Sequence, residues 1–404
     1  MNEQRLFEKA EQAWTVAWSR FFRPETNLFY DYVSSKDPAR SQAHLPTADE
    51  VKRQYPNACG WGTGMEDSAI SAGVWMAAIC DRFDATGDKA MKDCADKVWA
   101  GMALLMKVTK SPGFLPRSIC LADGESHYIN SSRDQYTHYG HGLWRFYHSP
   151  LSDDVQRGTM RRIMADICQR MERNVVPAND YSLCREDGKP GHGVNKMWEN
   201  WGPHEWARLP MLYAISWDLT GDGHWRDLYR RYAWDAVRKS ATVPENHPAY
   251  ALQQAVFSFE PLVAIEREDL DLHAAWLQAM TLYADAIQAY TKQCLEYKPP
   301  VLAELETDWR KWPTEDHGNG PCPVWPAGER AEDRTVREPA EAVLSQLMVP
   351  DRPLPADQRA LFQLVLRQTD FDASFMYGLF YPIAAYWRAV KRGVVTLPVP
   401  NGGR

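Results

Sequence analysis

The connections between helical stretches constrain this chain more than the helices themselves. Apolar spacing and end signals predict helices over 3–21, 64–85, 88–109, 134–148, 153–173, 204–219, 223–239, 248–264, 269–292, 335–348, 357–367 and 373–391. Short links join many of them in pairs. The passage from 64–85 to 88–109 runs through Thr86-Gly87-Asp88, and that from 204–219 to 223–239 through Thr220-Gly221-Asp222, the same tripeptide. Its glycine suits the left-handed conformation that ends one helix, and its aspartate can accept from the free N–H groups that begin the next. Ser149-Pro150-Leu151-Ser152 and Glu266-Arg267-Glu268-Asp269 are links of the same kind. Between pairs lie long segments, 22–63, 110–133, 174–203 and 293–334, rich in Pro, Gly, Asn and Trp. Long irregular loops are uncommon in a compact domain unless they carry function.

Short links on one face and long loops on the other describe a ring of helical hairpins, with one helix of each pair inside and one outside. Helices 64–85, 134–148, 204–219, 248–264 and 373–391 are expected inside; 3–21, 88–109, 153–173, 223–239 and 269–292 are expected outside. Composition agrees: 64–85 carries Ser68, Ala69, Ser71, Ala72, Gly73, Ala77 and Ala78, small enough for close helix approach, whereas 223–239 has a charged face with Arg226, Asp227, Arg230 and Arg231. No stretch of β-branched alternation argues for a sheet, so the class is all-α. Residues 1–404 are read as one domain, with an irregular loop insertion at 293–334.

Several function classes are disfavoured. No run of about eighteen apolar residues suggests a membrane span. The N-terminus enters a charged helical pattern without an apolar signal core, which points to the cytoplasm, although a mature secreted form would look the same. A net charge of −7 with dispersed basic residues argues against nucleic acid as a partner. The eight cysteines are scattered, without Cys-x-x-Cys pairs, and are expected mostly as buried thiols; neither a metal site nor a cofactor motif is recognisable. Seventeen tryptophans, many beside Gly and Pro in loops, suggest an aromatic-lined cleft.

The long loops deliver the chain to the N-termini of the inner helices, where free N–H groups converge on one mouth. Four stretches stand there. Gly60-Trp61-Gly62-Thr63-Gly64-Met65-Glu66-Asp67 offers paired carboxylates behind an aromatic loop, or a capping box from Thr63 and Glu66. Ser132-Arg133-Asp134 opens a helix on which Asp134, His138 and His141 share a face, with Tyr136 nearby. Trp198-Glu199-Asn200-Trp201-Gly202-Pro203-His204-Glu205-Trp206-Ala207-Arg208 combines three tryptophans with polar partners. Gln368 to Gly378 precedes the last helix, where Asp370 or Asp372 reads as a cap. The stretches Trp309 to Pro313 with Trp325, and Phe114 to Arg117, could add cleft wall.

The repeated helix-Thr-Gly-Asp-helix hairpin resembles the six-hairpin glycosidase superfamily, the (α/α)6 toroids that include glycoside hydrolases, polysaccharide lyases and sugar epimerases. The resemblance covers most of 1–292 and the last helix. It implies a carbohydrate substrate and carboxylates at inner-helix starts, matching Glu66, Asp67, Asp134 and Glu205. The leading expectation is a glycoside hydrolase with Asp134 and Asp67 or Glu66 across the scissile bond. Arg133, Tyr136, His138, His141, His204, Glu205 and Arg208 would bind the sugar's polar groups, and Trp61, Trp201 and Trp206 would stack on it. A lyase or epimerase with His138 or Tyr136 as base, and a saccharide-binding toroid without turnover, are the alternatives. Sugar, linkage and oligomeric state stay open.

Overall fold

A computed structural model describes residues 3–31, 42–191, 193–199, 202–299, 306, 308–316, 318, 320–324 and 333–398. Among them the α-helices are α1 (Glu3–Val16), α2 (Ala48–Arg53), α3 (Ser68–Thr86), α4 (Met91–Lys107), α5 (Arg133–Tyr147), α6 (Asp154–Asn174), α7 (Arg208–Thr220), α8 (Gly223–Lys239), α9 (Ala249–Ile265), α10 (Leu270–Ile287), α11 (Glu338–Met348), α12 (Ala356–Gln368) and α13 (Tyr377–Lys391). Strand content is two short antiparallel ribbons, Phe22–Arg23 with Leu28–Phe29, and Thr314–Asp316 with Pro321–Pro323.

Helices α3, α5, α7, α9, α11 and α13 pack each against the next, and α13 closes back on α3. Around this inner ring lie α4, α6, α8, α10 and α12, and α1 packs on α13 from outside, so the first helix completes the last hairpin. The expected all-α toroid is therefore the observed fold. The ring has a sixth inner helix, α11, whose residues are buried almost throughout. Inner helices are covered on one side by the outer ring and on the other by the axis, so they carry apolar residues all round.

The repeated tripeptide adopts one geometry twice. Gly87 (φ 66°) and Gly221 (φ 71°) take the left-handed conformation and donate N–H to Phe83 and Trp217 at 2.7 Å. Thr86 and Thr220 donate to the carbonyls four residues back, and Asp88 and Asp222 accept from Ala90 and His224 N–H at 2.9 Å. Asp153 forms a capping box with Gln156 at the start of outer helix α6.

Several boundaries differ from expectation for physical reasons. Helix 64–85 begins at Ser68, because Gly60, Gly62 and Gly64 all hold positive φ and keep the preceding segment a loop. The alternative capping box does not form: the Thr63 hydroxyl donates to Gly60 O and accepts from Met65 N. Helix 204–219 begins at Arg208, after a 3-10 turn over Pro203–Glu205. Cys59 and Cys322 form a disulfide across 263 residues, while the other six cysteines are free, as expected for most.

Four inner helices are tied at their C-terminal halves by a buried charge cluster. Asp81 of α3 binds Arg145 of α5 (2.6 Å) and Arg388 of α13 (2.7 Å), and Arg388 reaches Glu260 of α9 (2.7 Å). Burial would raise both carboxyls, but these cations hold Asp81 and Glu260 well below the usual carboxylate range.

Candidate active site

At the opposite, N-terminal end of the ring, a cleft of about 180 Å³ opens. Its floor and walls come from the inner-helix starts. The loop before α3 supplies Trp61, Glu66 and Asp67; the segment leading to α5 supplies Arg117, Ser132 and Asp134. Val194 lies before α7, Tyr250 and Gln254 on the first turns of α9, Arg337 before α11, and Tyr377 at the start of α13.

Asp67 occupies the N-cap position of α3 without capping it, which leaves both oxygens for other partners. Oδ1 accepts from Gln135 Nε2 (2.5 Å) and Arg117 Nη1 (3.3 Å), and Oδ2 accepts from the Tyr377 hydroxyl. Burial raises its pKa to about 7, helped by neighbouring Glu66 and opposed by Arg117 and the Gln135 hydrogen bond. Asp67 thus holds its proton well above the pH at which an ordinary carboxyl has lost it. Glu66 is more exposed and accepts from Gly62 N at 2.9 Å.

Asp134 is a quarter exposed and ion-paired with Arg208 at 2.9 Å. Arg208 is itself fully buried: Nη1 also donates to Thr137 Oγ1 (3.1 Å), Nη2 to Gln254 Oε1 (2.7 Å), and Nε pairs with Glu205 at 2.5 Å. Glu205 is gripped on its other flank by Arg133 (2.6 and 2.7 Å) and by His204 (2.9 Å). Burial opposes its ionisation, yet Arg208 and Arg133 hold it well below the usual carboxylate range. The four groups Arg133, Glu205, Arg208 and Asp134 alternate in sign, and Asp134 is the member at the cleft.

Below Asp134, His138 is fully buried. Its Nδ1 donates to the Asp134 carbonyl (3.0 Å), because a carbonyl can only accept, and the lone pair on Nε2 faces the Tyr381 hydroxyl at 3.5 Å. Burial pushes the imidazole down to about 4, so it is neutral at pH 7. Arg337 lies over the Tyr377 ring at 4.1 Å and donates Nε to Glu341 at 2.7 Å.

Of the residues singled out from the sequence, Trp61, Glu66, Asp67 and Asp134 meet in the cleft. Arg133, His204, Glu205 and Arg208 stand behind it as the buried buttress. Tyr136 is a core residue whose hydroxyl donates to Gly113 O and accepts from Leu115 N, fastening the loop before α5. His141 binds Glu260 (2.6 Å) in the cluster at the far end. Trp206 packs against Trp198, with Lys239 over its ring, on the α8 side. Trp201 and Trp325 lie outside the described residues. Trp312 packs against Gly62, where a Cβ would overlap its ring, and so buttresses the loop carrying Trp61. Sequence reasoning overlooked Gln135, Tyr250, Gln254, Arg337, Tyr377 and Tyr381. Inner-helix position was the signal that could have found four of them, since Gln135, Tyr250, Gln254 and Tyr377 lie on the first turns of inner helices.

Among the described residues no three or more His, Cys, Asp or Glu side chains are grouped as metal ligands would be, and no helix is long and apolar enough to cross a membrane.

The closed ring has a counterpart among solved structures. The chain is similar in structure to a sugar epimerase from a ruminal bacterium, with a TM-score of 0.54 over 95% of this chain and 99% of that one, at 11% sequence identity. At that identity the likeness is one of fold. No family model matches the sequence, and no curated protein matches it.

Proposed function

We propose that this protein is a glycoside hydrolase, cleaving an oligosaccharide or glycoside with two carboxyl groups. The observation that carries the reading is the contrast between Asp67, buried and with its pKa raised to about 7, and Asp134, ion-paired to Arg208 in the same cleft. A carboxyl that can give up a proton beside one paired with a cation is what glycosidic cleavage needs. Asp67 gives its proton to the leaving oxygen as the glycosidic bond breaks, and Asp134 takes a proton from the water that adds to the sugar carbon. Trp61 and Tyr250, both lining the cleft, supply aromatic surface for the sugar. The likeness of fold to a sugar epimerase supports a sugar as the substrate.

A second reading, epimerisation or elimination with His138 as base, draws on the same fold neighbour and on the neutral imidazole with its Nε2 lone pair toward Tyr381. It requires substrate to reach a fully buried ring, and so stands second.

The test is a panel of defined oligosaccharides, with products weighed by mass spectrometry for the native protein, Asp67→Asn and Asp134→Asn. Hydrolysis adds one water, and each variant should lose about 10²–10⁴-fold in rate. A folded Asp134→Asn with full activity would remove Asp134 from the chemistry.

A further inference from the structure

The hydrolase reading leaves open where along a glycan chain the cleft acts, and its geometry bears on this. A groove that cuts inside a chain must be open at two ends, so that sugar rings can extend past the reacting bond in both directions. This cleft is instead a small cup at the ring axis, lined from several directions. Five of the six inner helices contribute a lining residue at or just before their starts, Asp67, Asp134, Tyr250, Arg337 and Tyr377, and Val194 is added by the long segment that leads to α7. The cup does not continue downward. One helical turn, about 6 Å, below Asp134 and Tyr377 stand His138 and Tyr381, both fully buried. Deeper still lies the ion-paired cluster of Asp81, Glu260 and Arg388.

The volume agrees. About 180 Å³ falls short of the roughly 300–1,000 Å³ of sites that hold drug-sized ligands. It suits one sugar ring.

We infer that the protein acts only on chain ends: a single terminal sugar enters the cup, and the rest of the glycan projects into solvent. The substrate class is therefore a glycan with an accessible end, or a monosaccharide joined to a small aglycone.

This rests on the hydrolase reading, and one experiment separates the two. Labelled tetrasaccharides and longer chains are digested to early conversion, and both fragments of each cleavage are sized. The expected result is that every cleavage releases a single ring. Fragment pairs in which both parts hold two or more rings would overturn the chain-end inference while leaving hydrolysis intact. Absence of any water-adding cleavage across the panel would overturn the hydrolase reading, and this inference with it.

Discussion

The Tyr377 hydroxyl donates a hydrogen bond to Oδ2 of Asp67 across 310 residues of chain. The contact joins the start of the last helix to the start of the first inner one, where the ring closes. Closing the ring therefore also completes the surroundings of the acidic group.

Asp67 makes stability fall with pH. Its pKa is raised from its ordinary value to about 7, so between about pH 4 and 7 the folded chain holds a proton that the unfolded chain releases. The contribution is fully present below the unfolded pKa and is lost as pH rises through 7. Asp67→Asn should flatten that slope, by an amount on the order of a few kcal/mol across the window. Melting temperature measured against pH checks it.

The same proton gives activity an alkaline limb. If Asp67 is the acid, the rate should fall as pH passes about 7. In Tyr377→Phe, which takes away the Oδ2 donor, a carboxylate loses one stabilising hydrogen bond, and the limb should move to higher pH. A pH–rate profile of both proteins reads the shift.

Glu205 should behave as a buttress. Glu205→Gln leaves Arg133 and Arg208 buried with their shared anion removed, and a loss of about 3–5 kcal/mol in stability is expected. Chemical denaturation measures it. A stable variant impaired only in substrate binding would return Glu205 to the substrate.

Gly73 lets α3 and α5 touch. A Cβ there would overlap the His138 carbonyl, and Gly142 meets Gly73 from the facing helix. Gly73→Ala should cost about 3 kcal/mol, because backbone must move rather than a side chain. Its effect should exceed that of Gly223→Ala, which has open space.

The fold was legible because helix ends are local chemistry. Thr86-Gly87-Asp88 and Thr220-Gly221-Asp222 declare their hairpins within a few residues, and alternation of link length then orders the ring. The site was legible as far as it is local: Asp67 and Asp134 stand beside helix starts that caps and glycines mark. What was hidden depends on distant partners. Arg208 lies three residues after Glu205, but nothing near Glu205 tells that Arg133, 72 residues before it, will close its other flank, and nothing near Cys59 points to Cys322. Tyr377 carries no signature in its own segment; it becomes part of the site only through the ring closure that sets it against Asp67. His141 shares a helical face with Asp134, yet two turns of helix carry it to the opposite end of the axis, beside Glu260.

In the proposed hydrolysis, Asp67 and Asp134 together add water across a glycosidic bond. This is tested most directly by running the oligosaccharide panel in heavy-oxygen water and weighing the products. One heavy oxygen should enter one product of each cleavage, and incorporation should collapse in both Asp67→Asn and Asp134→Asn. Products of unchanged total mass with no heavy oxygen, formed equally well by the folded variants, would contradict it.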